Sequence, residues 1–174
     1  YKNDKKSLKK LADYTILRHF PEIADQKKNK YQNMLEKTIN LQAELISKWI
    51  NIGFIHGVMN TDNTAISGET IDFGPCAFLE KYESRKVYSS IDLHGRYSFS
   101  NQPHVIQWNL SKLAECLIQL IEPNDLNLSI SKAEEVINDF SIVYKEEWIN
   151  VMKKKLGLTK NLENDENLFK KLFE

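Results

Sequence analysis

Glycine is scarce in this 174-residue sequence: there are six, and the first is Gly53. A glycine-rich loop that wraps backbone N–H groups around phosphates is therefore excluded from everything before that position. Cysteine is scarcer still. Cys76 and Cys116 lie far apart and form no metal-ligand spacing, so two buried free thiols are expected rather than a disulfide. Net charge is absent, with 24 Lys plus Arg against 24 Asp plus Glu. That balance removes nucleic acid and acidic membranes as partners of the surface as a whole. No apolar run approaches the ~20 residues of a membrane span, and no signal-peptide pattern is visible. What remains is an ordinary globular composition, 41% hydrophobic and 28% charged, long enough for one domain with its own core. The sequence opens on Tyr1 rather than Met and closes just after an apolar cluster. Both ends are expected to be cuts from something longer, and a targeting signal could have left with the N-terminus.

Apolar periodicity supplies the helices. Leu8, Leu11, Ala12, Ile16 and Phe20 form a stripe over about residues 5–20, closed by Pro21. Tyr31, Met34, Leu35, Thr38, Leu41, Gln42, Leu45 and Trp49 recur at three and four over about 30–51, and Gly53 stops them. Thr64–Ser67 and Thr70–Phe73 flank Gly68-Glu69 and predict a tight β-hairpin with Gly68 at positive φ. Residues 76–107 show no strong period and predict an ordered loop region. Helical spacing returns at Leu110, Leu113, Ala114, Leu117, Ile118 and Ile121, before Pro123. Ser131 and Glu134 have capping-box spacing and predict the start of the next helix. Its buried face would be Val136, Ile137, Phe140, Val143, Tyr144, Trp148 and Val151, and Gly157 its stop. A last short helix carries Leu168, Phe169, Leu172 and Phe173. The predicted fold class is mainly α with a small β-hairpin.

Chemistry concentrates in residues 53–75. Asp62 and Asn63 precede the predicted hairpin and Asp72 lies at its far end, so a hairpin would turn all three towards one place. Carboxylate and amide oxygens suit a hard divalent cation such as Mg²⁺, which takes few protein ligands and completes its shell with water and phosphate oxygens. Protein kinases use a related set: a catalytic-loop Asp, an Asn, and the Asp of Asp-Phe-Gly. Here Asp72-Phe73-Gly74 follows a predicted strand, and His56 stands where a catalytic-loop histidine would begin. Kinases separate the catalytic Asp from the Asn, whereas Asp62 and Asn63 are adjacent, which argues against an ordinary protein kinase. On local chemistry alone a second reading stays open, since Asp and Asn are also common turn residues that bond their own backbone. His56 by itself reads better as a packed structural histidine than as an acid or base.

The stretch His56-Gly-Val-Met-Asn-Thr-Asp-Asn63, followed by Thr70-Ile-Asp-Phe-Gly-Pro75, resembles the selenoprotein O family. Further blocks agree: Gly95-Arg-Tyr-Ser-Phe-Ser-Asn-Gln-Pro103, Trp108-Asn109-Leu110 with Leu113-Ala114, and Lys154-Lys-Leu-Gly157. The resemblance covers nearly the whole chain. It implies a protein-kinase-like fold that binds ATP in a flipped orientation and transfers AMP to Ser, Thr or Tyr hydroxyls of proteins. It implies Asp62 as general base and Asn63 and Asp72 as ligands of Mg²⁺, or Mn²⁺ in its place, with Asp72 also near the nucleotide phosphates. It implies a cytoplasmic protein if bacterial and a mitochondrial one if eukaryotic, linked to redox homeostasis. The redox-active Cys or selenocysteine motif that often ends members is not present in this sequence.

The family's Gly-rich phosphate region, ATP-contacting Lys and pair of phosphate-binding Arg residues belong upstream. Residues 1–174 therefore resemble a single C-terminal lobe with catalytic and metal-binding loops at 53–75, the N-terminal nucleotide-clamping lobe being absent. Such a piece is expected to bind nucleotide weakly or not at all, and to be inactive alone. Two other functions stay in view: a kinase moving the γ-phosphate, and a non-catalytic kinase-like scaffold. A scaffold would not require Asp62, Asn63 and Asp72 together.

Overall fold

The computed structural model describes residues 4–160, 162 and 164–172. It is mainly helical, with a single two-stranded antiparallel sheet among the described residues. Helix α1 spans Lys5–His19 and begins at Asp4, whose carboxylate accepts from the Ser7 N–H at 3.0 Å. Pro21–Ile23 form a 3₁₀ turn, and α2 follows over Lys30–Ile52. Gly53 closes α2 at φ +72°, a left-handed cap that costs a glycine nothing. Strand β1 is Phe54–Ile55 and β2 is Ala77–Phe78, paired Phe54 to Phe78 and Ile55 to Ala77. Helix α3 spans Gln102–Ile121, α4 Leu126–Leu156 and α5 Asp165–Lys171.

Helix α2 is the axis of the core. Leu35, Ile39, Ala43 and Ile46 are essentially without solvent exposure, and α3 and α4 pack against them with Leu110, Leu117 and Phe140. Burying side chains of this size contributes about 1.5–3 kcal/mol each, far more than helix propensity supplies. On α4, Val136 and Phe140 are fully buried, while Ile137, Val143, Tyr144, Trp148 and Val151 are half-buried. Helix α5 docks through Phe169, which meets the Trp148 ring edge-on, and through an ion pair of Lys153 with Asp165 at 2.8 Å. No helix among the described residues is long and apolar enough to cross a membrane.

Four sequence expectations need correction. The predicted hairpin over Thr64–Phe73 is not formed, because buried side chains on α2 and His56 take its hydrogen-bonding groups. Gly68 does adopt positive φ, +73°, and its N–H closes a turn onto Ala65 O at 3.1 Å. Helix α3 begins at Gln102 rather than near Leu110; its first turns bury Gln102 and Asn109, polar residues that an apolar period does not register. Helix α4 begins at Leu126, where the Asp125 carboxylate accepts from the Leu128 N–H at 3.0 Å. Ser131 and Glu134 therefore lie inside the helix and cap nothing. Both cysteines are free, but Cys76 is half-buried and Cys116 exposed. Gly157 ends α4 as expected, at φ +69°, and Phe173 of the last apolar cluster lies outside the described residues.

A polar cluster ties α1 to α2. Asp13 accepts from Lys9 at 2.6 Å, Lys30 at 2.7 Å and the Tyr31 hydroxyl at 2.9 Å. Burial pushes the Asp13 carboxyl up, but the hydrogen bonds from Lys30, Lys9 and Tyr31 outweigh it and bring it down to about 2. A depressed carboxyl stabilises the fold above its unfolded pKa and loses that contribution as pH falls through the folded one. We therefore expect Asp13→Asn to be less stable than the parent at neutral pH, by about 1 kcal/mol once solvent screening is allowed for. In denaturant titrations that gap should close between the ordinary 3.8 and about 2; a gap independent of pH would refute the assignment.

Candidate functional site

Residues 56–76 form one loop, and β1 and β2 clamp its two ends. This pairing lies outside the segment over which the hairpin was expected, and joins Phe54–Ile55 to Ala77–Phe78 only. Just above the clamp the two limbs touch. A Cβ on Gly57, which sits at φ +84°, would lie 3.0 Å from Pro75 Cγ and 3.1 Å from Pro75 O. Only a glycine permits that approach.

His56 is the centre of the loop. Its side chain is completely buried and stacks on Trp49, ring centroids 5.4 Å apart. Nε2 lies 2.7 Å from Ile71 O, and Nδ1 accepts from the Val58 N–H at 3.3 Å. A carbonyl can only accept, so Nε2 carries the proton and Nδ1 does not. The structure thus gives His56 the structural role preferred from sequence. Gln102 on α3 holds the same residue from behind: Oε1 accepts from the His56 N–H at 3.0 Å, and Nε2 donates to Phe54 O at 2.9 Å.

Asp62 and Asn63 stand on a 3₁₀ turn, Thr61–Asn63, closed by the Asn63 N–H on Asn60 O at 3.0 Å. Asp62 is exposed. Asn63 is half-buried, and its Nδ2 donates to Val58 O at 3.0 Å. That bond fixes the carboxamide and leaves Oδ1 without a hydrogen bond among the described residues. Asp72 is exposed and held at φ +56°, one of two non-glycine residues with positive φ among those described. The N–H of Gly74 folds back on Asp72 O at 2.8 Å. Neither Asp62 nor Asp72 accepts a side-chain hydrogen bond among the described residues. The two halves of the expected site are connected: Asn63 to Val58, Val58 to His56, and His56 to Ile71 beside Asp72.

The other limb of the loop is held by α2. Gln42 Nε2 donates to Ala65 O at 2.6 Å and Trp49 Nε1 to Thr70 Oγ1 at 3.0 Å. Gly68 packs so closely that a Cβ would lie 2.8 Å from Leu41 Cβ. From the long connection before α3, the Tyr97 hydroxyl donates to Asn60 Oδ1. Asp92 accepts from the backbone N–H groups of Arg96 and Tyr97, and the Arg96 guanidinium lies 4.7 Å from the Trp108 ring centroid. Gln102, Asn109, Trp49 and Tyr97 were not singled out from sequence as site residues. A polar residue between the apolar Val105, Ile106 and Leu110 was the available signal for Asn109; Gln102, the first residue of α3, carried none.

The donor set fits a hard cation. Asn63 Oδ1 and the Asp72 carboxylate are oxygen donors with no competing hydrogen bond among the described residues. Among the described residues no group of three or more His, Cys, Asp or Glu could hold a metal. An ion here would therefore keep positions for water or phosphate oxygens, as Mg²⁺ does.

A family model described as "Protein adenylyltransferase SelO" matches residues 1–174. The chain is similar to the protein nucleotidyltransferase YdiU of Clostridium perfringens strain 13, 56% identical over 165 residues, which cover 95% of this chain and 33% of that protein. It is also similar to the proteins of the same name from Bacillus thuringiensis strain Al Hakam and Halalkalibacterium halodurans. Each is 50% identical over 167 residues, covering 96% of this chain and 34% of the relative. The chain thus spans about a third of the length of the curated relatives it matches.

The left-handed conformation of Asp72 has a measurable consequence. Asp72→Gly and Asp72→Ala both delete the carboxylate, but only alanine keeps the Cβ that the conformation disfavours. We expect the glycine variant to be the more stable of the two by about 1 kcal/mol in denaturant titrations. Equal stabilities would show that the loop relaxes out of this conformation without cost.

Proposed function

We propose that this chain, which belongs to the protein adenylyltransferase SelO family, carries the catalytic and metal-binding loops of an enzyme that moves AMP from ATP to Ser, Thr or Tyr hydroxyls of proteins. The observation that carries this reading is the pair of free oxygen donors, Asn63 Oδ1 and the Asp72 carboxylate, tied to one another through Val58, His56 and Ile71. A turn stabilised for its own sake would engage those oxygens with its own backbone. Here the turns are closed by backbone N–H groups and by the Asn63 amide nitrogen, and neither Asn63 Oδ1 nor the Asp72 carboxylate accepts a hydrogen bond among the described residues.

In this reading Asp62 is the general base. Its carboxylate accepts the proton of the acceptor hydroxyl as the oxygen attacks the α-phosphorus. The bond from that phosphorus to the bridging oxygen breaks, pyrophosphate leaves, and AMP stays on the acceptor. Asn63 and Asp72 would hold Mg²⁺, or Mn²⁺ in its place, which when bound neutralises charge on the phosphates. Asp72 would also lie near the nucleotide phosphates. His56 orients both limbs and takes no part in proton transfer, since one ring nitrogen is committed to a carbonyl and the other to an N–H. The helical architecture serves in this reading as the C-terminal lobe of a protein-kinase-like fold. The groups that clamp ATP would come from the remaining two-thirds of the relatives' length.

The test is α-phosphate-labelled ATP with Mg²⁺ and the full-length protein, beside Asp62→Ala and Asp72→Ala. Label on protein should appear with the parent and fall at least about 100-fold in either variant. Residues 1–174 alone should transfer none. Transfer from γ-labelled ATP instead would make the enzyme a kinase, and no transfer of either label would favour a non-catalytic scaffold. Robust AMP transfer by residues 1–174 alone would sink the division of labour between this chain and the rest.

A further inference from the structure

Asn109 lies on α3, far in sequence from the 53–75 loop, yet its side chain reaches both flanks of the turn that bears Asp62 and Asn63. It is 4% exposed. Nδ2 donates to Met59 O at 3.0 Å, before the turn, and to Thr64 Oγ1 at 2.8 Å, after it. Met59 O can only accept, so the orientation of the carboxamide is fixed by chemistry. Thr64 passes the constraint on, its hydroxyl donating to Asn60 O at 3.2 Å. That carbonyl also receives the Asn63 N–H. One buried amide group thus fastens three points of the turn, directly or through Thr64.

The other end of the carboxamide is informative. Asn109 Oδ1 is buried and has no hydrogen-bond partner among the described residues. A residue kept for packing alone would be apolar at such a place, because a buried acceptor left unpaired is destabilising. The orphaned oxygen accompanies two donated hydrogens that both go to the loop.

We propose that Asn109 is a positioning residue: it holds the Thr61–Asn63 turn on α3 so that Asp62 and Asn63 meet the reacting groups in a fixed geometry. The proposal rests on the reading of Asp62 and Asn63 as base and metal ligand. It adds a residue from outside the loop, acting through Met59 and Thr64 and touching neither substrate nor metal. Misplacement of a reacting group by an ångström is sufficient to slow a reaction about 100-fold, so the effect should fall on turnover rather than on nucleotide binding.

The experiment uses the full-length protein with Asn109→Ala, Thr64→Val and Thr64→Ser. In folded Asn109→Ala and Thr64→Val, kcat should fall about 10- to 100-fold while KM for ATP stays within about threefold. Thr64→Ser keeps the hydroxyl and should retain activity close to the parent. The Asn109→Ala, Thr64→Val double variant should be little worse than the poorer single one, since both cut the same attachment. Hydrogen–deuterium exchange of the peptide spanning 58–66 should rise in Asn109→Ala while peptides of α2 stay protected. Should Asn109→Ala fail to fold, the Thr64 pair decides the matter. If the enzyme moves the γ-phosphate, the same kcat loss is read on that reaction; if it moves neither group, the exchange of 58–66 decides. Unchanged turnover, or unchanged exchange where turnover is not measurable, in folded variants overturns the proposal. So does a Thr64→Ser as impaired as Thr64→Val.

Discussion

The buried imidazole of His56 is the joint of this structure. It joins Ile71 O on one limb of the loop to the Val58 N–H on the other, stacked on Trp49 of α2. A neutral imidazole with one donor and one acceptor suits this position because it satisfies a carbonyl and an N–H at once. Exchange for an apolar side chain would leave both without this partner, at most about 1–3 kcal/mol each because water can reach these half-buried groups. The exposed positions of Asp62 and Asp72 depend on this joint, because neither carboxylate anchors itself.

Around it the loop combines its own turns with support from outside. Gln42 and Trp49 on α2, Gln102 and Asn109 on α3, and Tyr97 on the connection between β2 and α3 reach its backbone, the Thr64 and Thr70 hydroxyls or the Asn60 carboxamide. Side chains fixed on packed helices hold a loop more firmly than a loop holds itself. That arrangement lets the segment carry free oxygen donors and a left-handed Asp72 without collapsing onto them. The helical core therefore does more than stabilise. The burial that locks α2 against α3 and α4 also sets the distance between the two helices whose side chains position the loop.

The apolar periods over residues 5–20 and 30–51 give α1 and α2 to within a residue or two, because amphipathic stripes are local and their burial is what stabilises helices. Gly53 and Gly157 mark helix ends for an equally local reason: the left-handed cap suits a residue without a Cβ. Positive φ at Gly68 was legible too, but the hairpin around it was not. Thr64–Ser67 and Thr70–Phe73 have strand-like composition, yet Gln42, Trp49 and His56 supply better partners than the two segments could give each other. Asp125 rather than Ser131 starts α4 because its carboxylate, six residues upstream, already caps the free N–H of Leu128.

By itself the sequence determined the helical class, the helix ends marked by glycine, and the segment where Asp62, Asn63 and Asp72 are gathered. These follow from side-chain periodicity, backbone freedom and oxygen-donor chemistry, all of which act over a few residues. Tertiary structure alone decided how that segment is held: the clamp of β1 on β2, the contact of Gly57 with Pro75, and the attachments from Gln42, Gln102 and Asn109. Those partners lie on other elements, and a buried polar side chain has no period that reveals what it will bind. Only when α2, α3 and α4 pack around their common core does each amide meet the backbone group it fastens.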